Sequence, residues 1–258
     1  MCLPKLNFDF VNRYYQKDFL VLKLLCIWTH DGTTSTAYLV YFFVINVAVI
    51  FSYTFGQIIH ALLHADTVMS FASYCHTIPV NMISIVQSYY IFKHRGKFNE
   101  LYVSFRDNLF QPCTADQLVI VRNLLNFHAT VKVWLVRVGS MAYISAILTP
   151  LFYKKNEQDL LFLTWSPFDI SGRVAHTIVY IYQCVACGYI CYISLYIEIL
   201  LAGFVTFISL QCDLLCDNLK KLNSHHDVLS SNVLSRECLK RCIHHHWKIL
   251  RFSKTTEA

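Results

Sequence analysis

The sequence predicts an all-α membrane protein with four transmembrane helices, cytosolic helical extensions and an amino terminus on the inner side. Three observations carry that prediction. Four apolar stretches, over residues 33–63, 68–92, 133–152 and 174–211, each reach the ~20 residues a helix needs to cross about 30 Å of hydrocarbon. Hydrophobic residues make up 55% of the 258 and charged residues only 15%, where a soluble domain carries about a quarter. The Lys and Arg of the flanking segments alternate in number. There are 4 in residues 1–32, none in 64–67, 6 in 93–132, 3 in 153–173 and 8 in 212–258. One set of alternate segments therefore holds 18 and the other 3. Basic flanks stay on the cytoplasmic side, so the amino terminus, the middle loop and the carboxyl tail are expected in the cytosol.

Residues 1–32 read as a cytosolic amphipathic arm. Leu20, Val21, Leu24, Leu25 and Trp28 recur at helical spacing with Lys17 and Lys23 off that face. Such a segment can lie along the inner membrane interface. The first 30 residues contain no clean apolar run with a small-residue cleavage site, so the first span is expected to act as its own insertion signal.

Residues 33–222 form the predicted bundle. The first span follows Asp31-Gly32 and is rich in aromatics. The turn after it, residues 64–67, is short enough to force a tight antiparallel hairpin with the second span. Pro79 in the second span removes an amide and predicts a kink. Residues 93–132 hold Leu101, Phe105 and Leu109, then Leu118, Val121, Leu125 and His128 at helical spacing. They read as cytosolic extensions of spans two and three, joined near Gln111-Pro112. Arg137 stands near the inner end of span three, where a long side chain reaches the headgroups. The fourth apolar stretch is too long for one crossing. About 20 residues from Ala175 bring it to the inner boundary near Ile197, so Glu198 marks the interface and the helix is expected to continue in the cytosol to about Leu222. Cys184, Cys187, Gly188, Cys191 and Ser194 form a small-residue stripe that lets helices approach closely in lipid. Residues 223–258 open with a polar break and return to helix, with Leu239, Ile243, His246 and Leu250 on one face.

Charge and cysteine usage exclude several functions. The net charge of +6 sits beside the spans, where it sets topology and meets anionic lipid; no nucleic-acid partner is expected. The predicted outer loops contain none of the 11 cysteines, so reduced, buried thiols are expected rather than a disulfide framework. His244-His245-His246 with Cys238 and Cys242 fits no compact zinc module. His60 and His76 could pair on a haem only with other redox features, which are missing. No nucleophile–base pair, phosphate-cradling loop or carboxylate pair appears. The expectation is no enzyme, no metal and no cofactor.

What remains is the outer half of the bundle. Phe71, Tyr74, Cys75, Met141, Tyr143, Ser145, Leu148, Tyr180, Tyr182 and Gln183 fall at similar depth on spans two, three and four. Many apolar and aromatic groups with few polar ones suit a small apolar ligand. Ordinary helix packing uses the same residues.

Four local sequences carry a likeness. Lys93-His94-Arg95-Gly96-Lys97-Phe98 follows span two, with Leu101, Phe105 and Gln111-Pro112 beyond it. Ser166-Pro167-Phe168-Asp169 precedes span four, which opens Tyr180-Ile181-Tyr182-Gln183. Cys242-Ile243, His245-His246, Ile249-Leu250 and Phe252 close the series. In this order they make the chain resemble the insect odorant receptor family. The resemblance implies a seven-span receptor of inverted topology, in the plasma membrane of an olfactory sensory neuron. It also implies a ligand-gated cation channel formed with a co-receptor subunit. The ligand would be a volatile odorant, held between the outer halves of spans two, three, four and six. Against that pattern the chain looks like a partial form, with spans one to four, the beginning of the anchor region and no pore-lining last span. After Phe252 the family's expected acidic helix gives way to Ser253–Ala258. Alternative readings are a four-span adaptor or scaffold and a gustatory-type chemoreceptor.

Overall fold

Backbone amides in an apolar run need partners that lipid cannot supply, and a helix supplies them within one segment. The computed structural model describes residues 9–25, 36–64, 68–105, 107–152, 160–162, 164–168, 170, 172–226 and 232–257. Among them the chain is helical and contains no strand. Helix α1 is Asp9–Leu24, α2 is Thr36–Ile45 and α3 is Ser52–His64, with a π-helical turn, Asn46–Phe51, joining α2 to α3. Then follow α4 (Val68–Lys93), α5 (Arg95–Ser104), a 3-10 turn (Asn108–Phe110), α6 (Ala115–Phe152), α7 (Arg173–His226) and α8 (Asn232–Glu257).

By length and composition three stretches can cross a membrane: Thr36–Leu63, Ala115–Pro150 and Arg173–Leu222. The second expected span is the 26-residue α4. It has the length to cross, but carries Asn81, Ser84, Gln87 and Ser88 along its second half. The helix runs through Pro79. One other end differs from expectation. Helix α7 continues to His226, because no Gly or Pro follows Gly203 to stop it. Helix α8 continues to Glu257, since Ser253–Glu257 also lacks a breaker.

The described residues gather into two compact units. One draws on Met1–Phe19, Gly96–Val133 and Glu198–Ala258. Its core is an aromatic knot around Phe105. Tyr15 stacks on that ring at 4.6 Å, Phe207 meets it edge-on at 4.5 Å, and Phe252 approaches Phe207 at 5.1 Å. Offset and edge-on pairs align ring edges with ring faces, which is why they recur in cores. The buried polar groups here are paired. Asp18 takes Lys132 as its ion partner, Tyr15 Oη donates to Gly203 O at 3.1 Å, and Gln117 Nε2 reaches Asp217 and Asn218, each at 2.7 Å. On α8 the buried face is Cys242, His245, Ile249 and Phe252, while Leu239, Ile243, Trp247 and Leu250 are exposed. Of α1, Tyr15, Asp18 and Phe19 lie in this core.

The other unit draws on Leu20–Arg95 and Trp134–Ile197. The α2–π–α3 rod packs along α4, with Phe42 stacked on Phe92 at 4.0 Å. Between α4 and α7, Ser84 Oγ and Ser194 Oγ lie 2.6 Å apart. Tyr189 Oη donates to Leu25 O at 2.7 Å, satisfying a carbonyl just past the end of α1. The small-residue stripe on α7 has a partner. A Cβ added to Gly188 would stand 2.6 Å from Tyr143 Oη, and that hydroxyl donates to Cys184 O at 2.8 Å. Glycine is therefore needed at 188 for α6 to approach α7.

Candidate ligand site

The second unit holds the sequence-predicted site residues, and hydrogen bonds decide what each can do. Tyr182, on α7, aims its hydroxyl at the π-helical turn. It lies 2.5 Å from Ser52 Oγ and donates towards Val49 O at 3.2 Å and Ala48 O at 3.4 Å. A π-turn widens the helix and leaves carbonyls less well satisfied than regular α geometry does. Asn46 and Ser52 bond back to Phe42 O and Ala48 O at its two ends, at 2.9 and 2.5 Å. Tyr182 supplies the remaining donor from another helix.

Tyr74 is buried, with its hydroxyl 2.6 Å from His60 Nδ1 on α3. Tyr180 Oη donates to Ile147 O on α6 at 2.6 Å. Gln183 is fully buried and faces the segment before α7. Its Nε2 donates to Phe162 O at 3.0 Å and to Thr164 Oγ1 at 2.6 Å, and its Oε1 accepts from Phe162 N at 3.2 Å. These four residues are thus tied to α2–α3, α6 and the outer segment. Cys75, Met141, Ser145 and Leu148 are exposed on α4 and α6, with Ser145 Oγ bonded to Ala142 O of its own helix. The side chain of Phe71 lies outside the described residues. His76, considered with His60 as a haem pair, is exposed, and His60 takes Tyr74 instead. Among the described residues no three His, Cys, Asp or Glu side chains gather as a metal site would require.

A buried polar ladder was not anticipated from the sequence. Asn81 Nδ2 donates to Gln57 Oε1 at 2.7 Å, and Gln57 Nε2 donates to Tyr53 Oη at 3.1 Å. All three are buried. The available signal was the amides themselves, since a polar side chain inside an apolar span is costly unless it finds a partner. The described residues here offer aromatic faces, hydroxyls and amides, with the His60 imidazole beside Tyr74. Groups of these kinds suit contacts with an apolar molecule that carries one or two polar atoms.

Comparison with known proteins bears on this arrangement. Two solved structures share the fold: the insect olfactory receptor OR5 from Machilis hrabei, and the same receptor in complex with eugenol. Each aligns with a TM-score of 0.75 at 14% identity, over 95% and 96% of this chain respectively. The chain spans 64% and 65% of those two chains. No curated protein matches the sequence. The family model for the 7tm odorant receptor matches residues 67–258, most of the chain. The chain belongs to the odorant receptor family.

Proposed function

We propose that the chain is the ligand-detecting part of an olfactory receptor subunit and takes a volatile small molecule in the outer half of its transmembrane bundle. The observation that carries this reading is the gathering of the hydroxyl- and amide-tipped residues Tyr74, Tyr180, Tyr182 and Gln183 in one unit of the fold. An apolar lining with few polar atoms selects small, weakly polar ligands. The related OR5 structure with eugenol makes a small phenolic volatile the first probe to use. Phe71, Cys75, Met141, Ser145 and Leu148 are the further candidates for the site.

The subunit is expected to work with a co-receptor as a ligand-gated cation channel, multi-pass in the plasma membrane of an olfactory sensory neuron, with a cytoplasmic amino terminus. The 18 against 3 distribution of Lys and Arg supports that orientation, with α4 taken as the second of four crossings. Binding drives opening only as far as the ligand prefers the open state.

Ligand-induced stabilisation of the chain in lipid nanodiscs tests the reading. A panel of volatiles that includes eugenol is expected to contain members that raise Tm. Tyr74→Ala and Tyr182→Ala are expected to reorder that panel while leaving surface delivery within about twofold of wild type, as expected when only side-chain contacts go. Equal loss of delivery with an unchanged ranking would make both residues packing elements.

A further inference from the structure

We infer that Gln183 is a positioning residue, the latch of a strap formed by residues 160–162 and 164–168 that closes the outer aqueous path into the bundle. The inference rests on the reading of the outer half as the ligand site. A primary amide has two N–H donors and one carbonyl acceptor. Gln183 gives both donors to the strap, one to Phe162 O and one to Thr164 Oγ1, and its carbonyl takes Phe162 N. No N–H of Gln183 is left for a ligand. The side chain pairs with both backbone groups of Phe162, as a neighbouring strand would. Irregular backbone at the edge of an apolar bundle needs such a partner, because its polar groups are otherwise orphaned.

A second tether acts independently on the same strap. Trp165 N donates to Gly56 O of α3 at 3.0 Å. A Cβ at position 56 would stand 3.2 Å from Trp165 O, so the strap rests directly on the α3 backbone. Between the tethers, Phe162 turns edge-on to the buried ring of Tyr53 at 6.5 Å. Trp165, Pro167 and Phe168 face outward. Phe162 and the latched backbone thus cover the buried ring of Tyr53 from the side of the strap. Cys187 lies one turn inward of Gln183 on α7 and is half-buried, so its thiol reports on the outer aqueous path.

The test measures the rate at which a charged, membrane-impermeant thiol reagent modifies Cys187 in the full chain in nanodiscs, with each cysteine quantified by mass spectrometry. The exposed Cys238 on α8 serves as the reference. In Gln183→Leu the Cys187 rate is expected to rise about tenfold relative to Cys238, the factor implied by a net loss of one or two hydrogen bonds. An unchanged ratio would overturn the inference. Should Gln183→Leu raise every cysteine together, as unfolding would, Thr164→Val decides, because it removes one acceptor at a half-buried strap position. There the ratio is expected to rise about threefold, the smaller effect of one bond, and no rise overturns the inference. Labelling needs no ligand. A failed latch and a failed odorant reading therefore give separate results, the latter appearing only in the Tm panel.

Discussion

Gly188 shows how much one missing methyl group decides. Its absent Cβ leaves room for the Tyr143 ring, whose Cζ would otherwise lie 2.8 Å away and whose Oη would lie 2.6 Å away. Gly188→Ala must displace an aromatic ring that also meets Tyr192 edge-on at 6.1 Å, and the shift breaks the bond from Tyr143 to Cys184 O. Overpacking of this kind costs about 1–3 kcal/mol. The variant is expected to lower Tm in detergent, and combining it with Tyr143→Phe is expected to cost less than the two single changes added together, because both act on one contact. Strict additivity would mean that the alanine is accommodated elsewhere. The small-residue stripe was legible in the sequence because small side chains recur at helical spacing. Its partner was not, since Tyr143 and Gly188 sit 45 residues apart on helices whose rotation the sequence leaves open. The same gap explains Gln183. Its depth on span four could be counted, but its commitment to Phe162 and Thr164 depends on the path of the preceding segment.

At the scale of elements, long apolar runs located the rods well. The 54-residue α7 and the 38-residue α6 each contain one of the long apolar runs, and run on through Gly188, Gly203 and Pro150. The π-turn Asn46–Phe51 left no mark, because the first span is apolar all round and a shift from 3.6 residues per turn changes no pattern there. Helix α8 shows the opposite difficulty. The aliphatic face containing Leu239, Ile243 and Leu250 is the obvious one in the sequence, yet these residues are exposed, and the face that packs carries a cysteine and a histidine. His245 makes that packing sensitive to pH. Its Nε2 lies 3.0 Å from Gln211 Oε1, and Gln211 Nε2 donates to Phe110 O at 3.2 Å, so the neutral ring serves as a donor. Burial first, then Arg241 and Lys248, push its pKa down to about 4, against a smaller opposing effect of Asp107. The unfolded chain binds this proton from about pH 6.5 downward and the folded chain only near 4. Stability is therefore unaffected above 6.5 and falls with pH between 6.5 and 4, with a slope of at most about 1.4 kcal/mol per unit. Asp107 acts in a lower window. Burial alone would raise its pKa, but Lys248 and the Leu109 amide outweigh it, so its contribution is lost only below the usual carboxylate range. Amide exchange along α8 should accelerate between pH 6.5 and 4 in wild type and stay flat over that interval in His245→Leu. The same acceleration in the variant would assign it to another group.

At the scale of the whole molecule, orientation is an electrostatic property that the fold does not encode and the sequence does. It follows from the 18 against 3 distribution of Lys and Arg and the retention of cations on the cytosolic side. It can be separated from the helix geometry by labelling. Gly96 is exposed and a Cβ there meets nothing within 4 Å, so Gly96→Cys fits the fold without adjustment. In intact cells an impermeant maleimide is expected to modify Gln158→Cys and to spare Gly96→Cys until the membrane is permeabilised. The reverse pattern would overturn the orientation. A second arm asks whether one loop or the sum of loops decides. Changing Lys93, Arg95 and Lys97 to Gln leaves 15 against 3, still a large excess on the inner side. If the excess is summed along the chain, Gln158→Cys in that background remains labelled from outside, with less than about a twofold loss. If the loop after α4 acts alone, the labelling divides between the two faces, because the spans on either side of it then have no local charge to hold them in place.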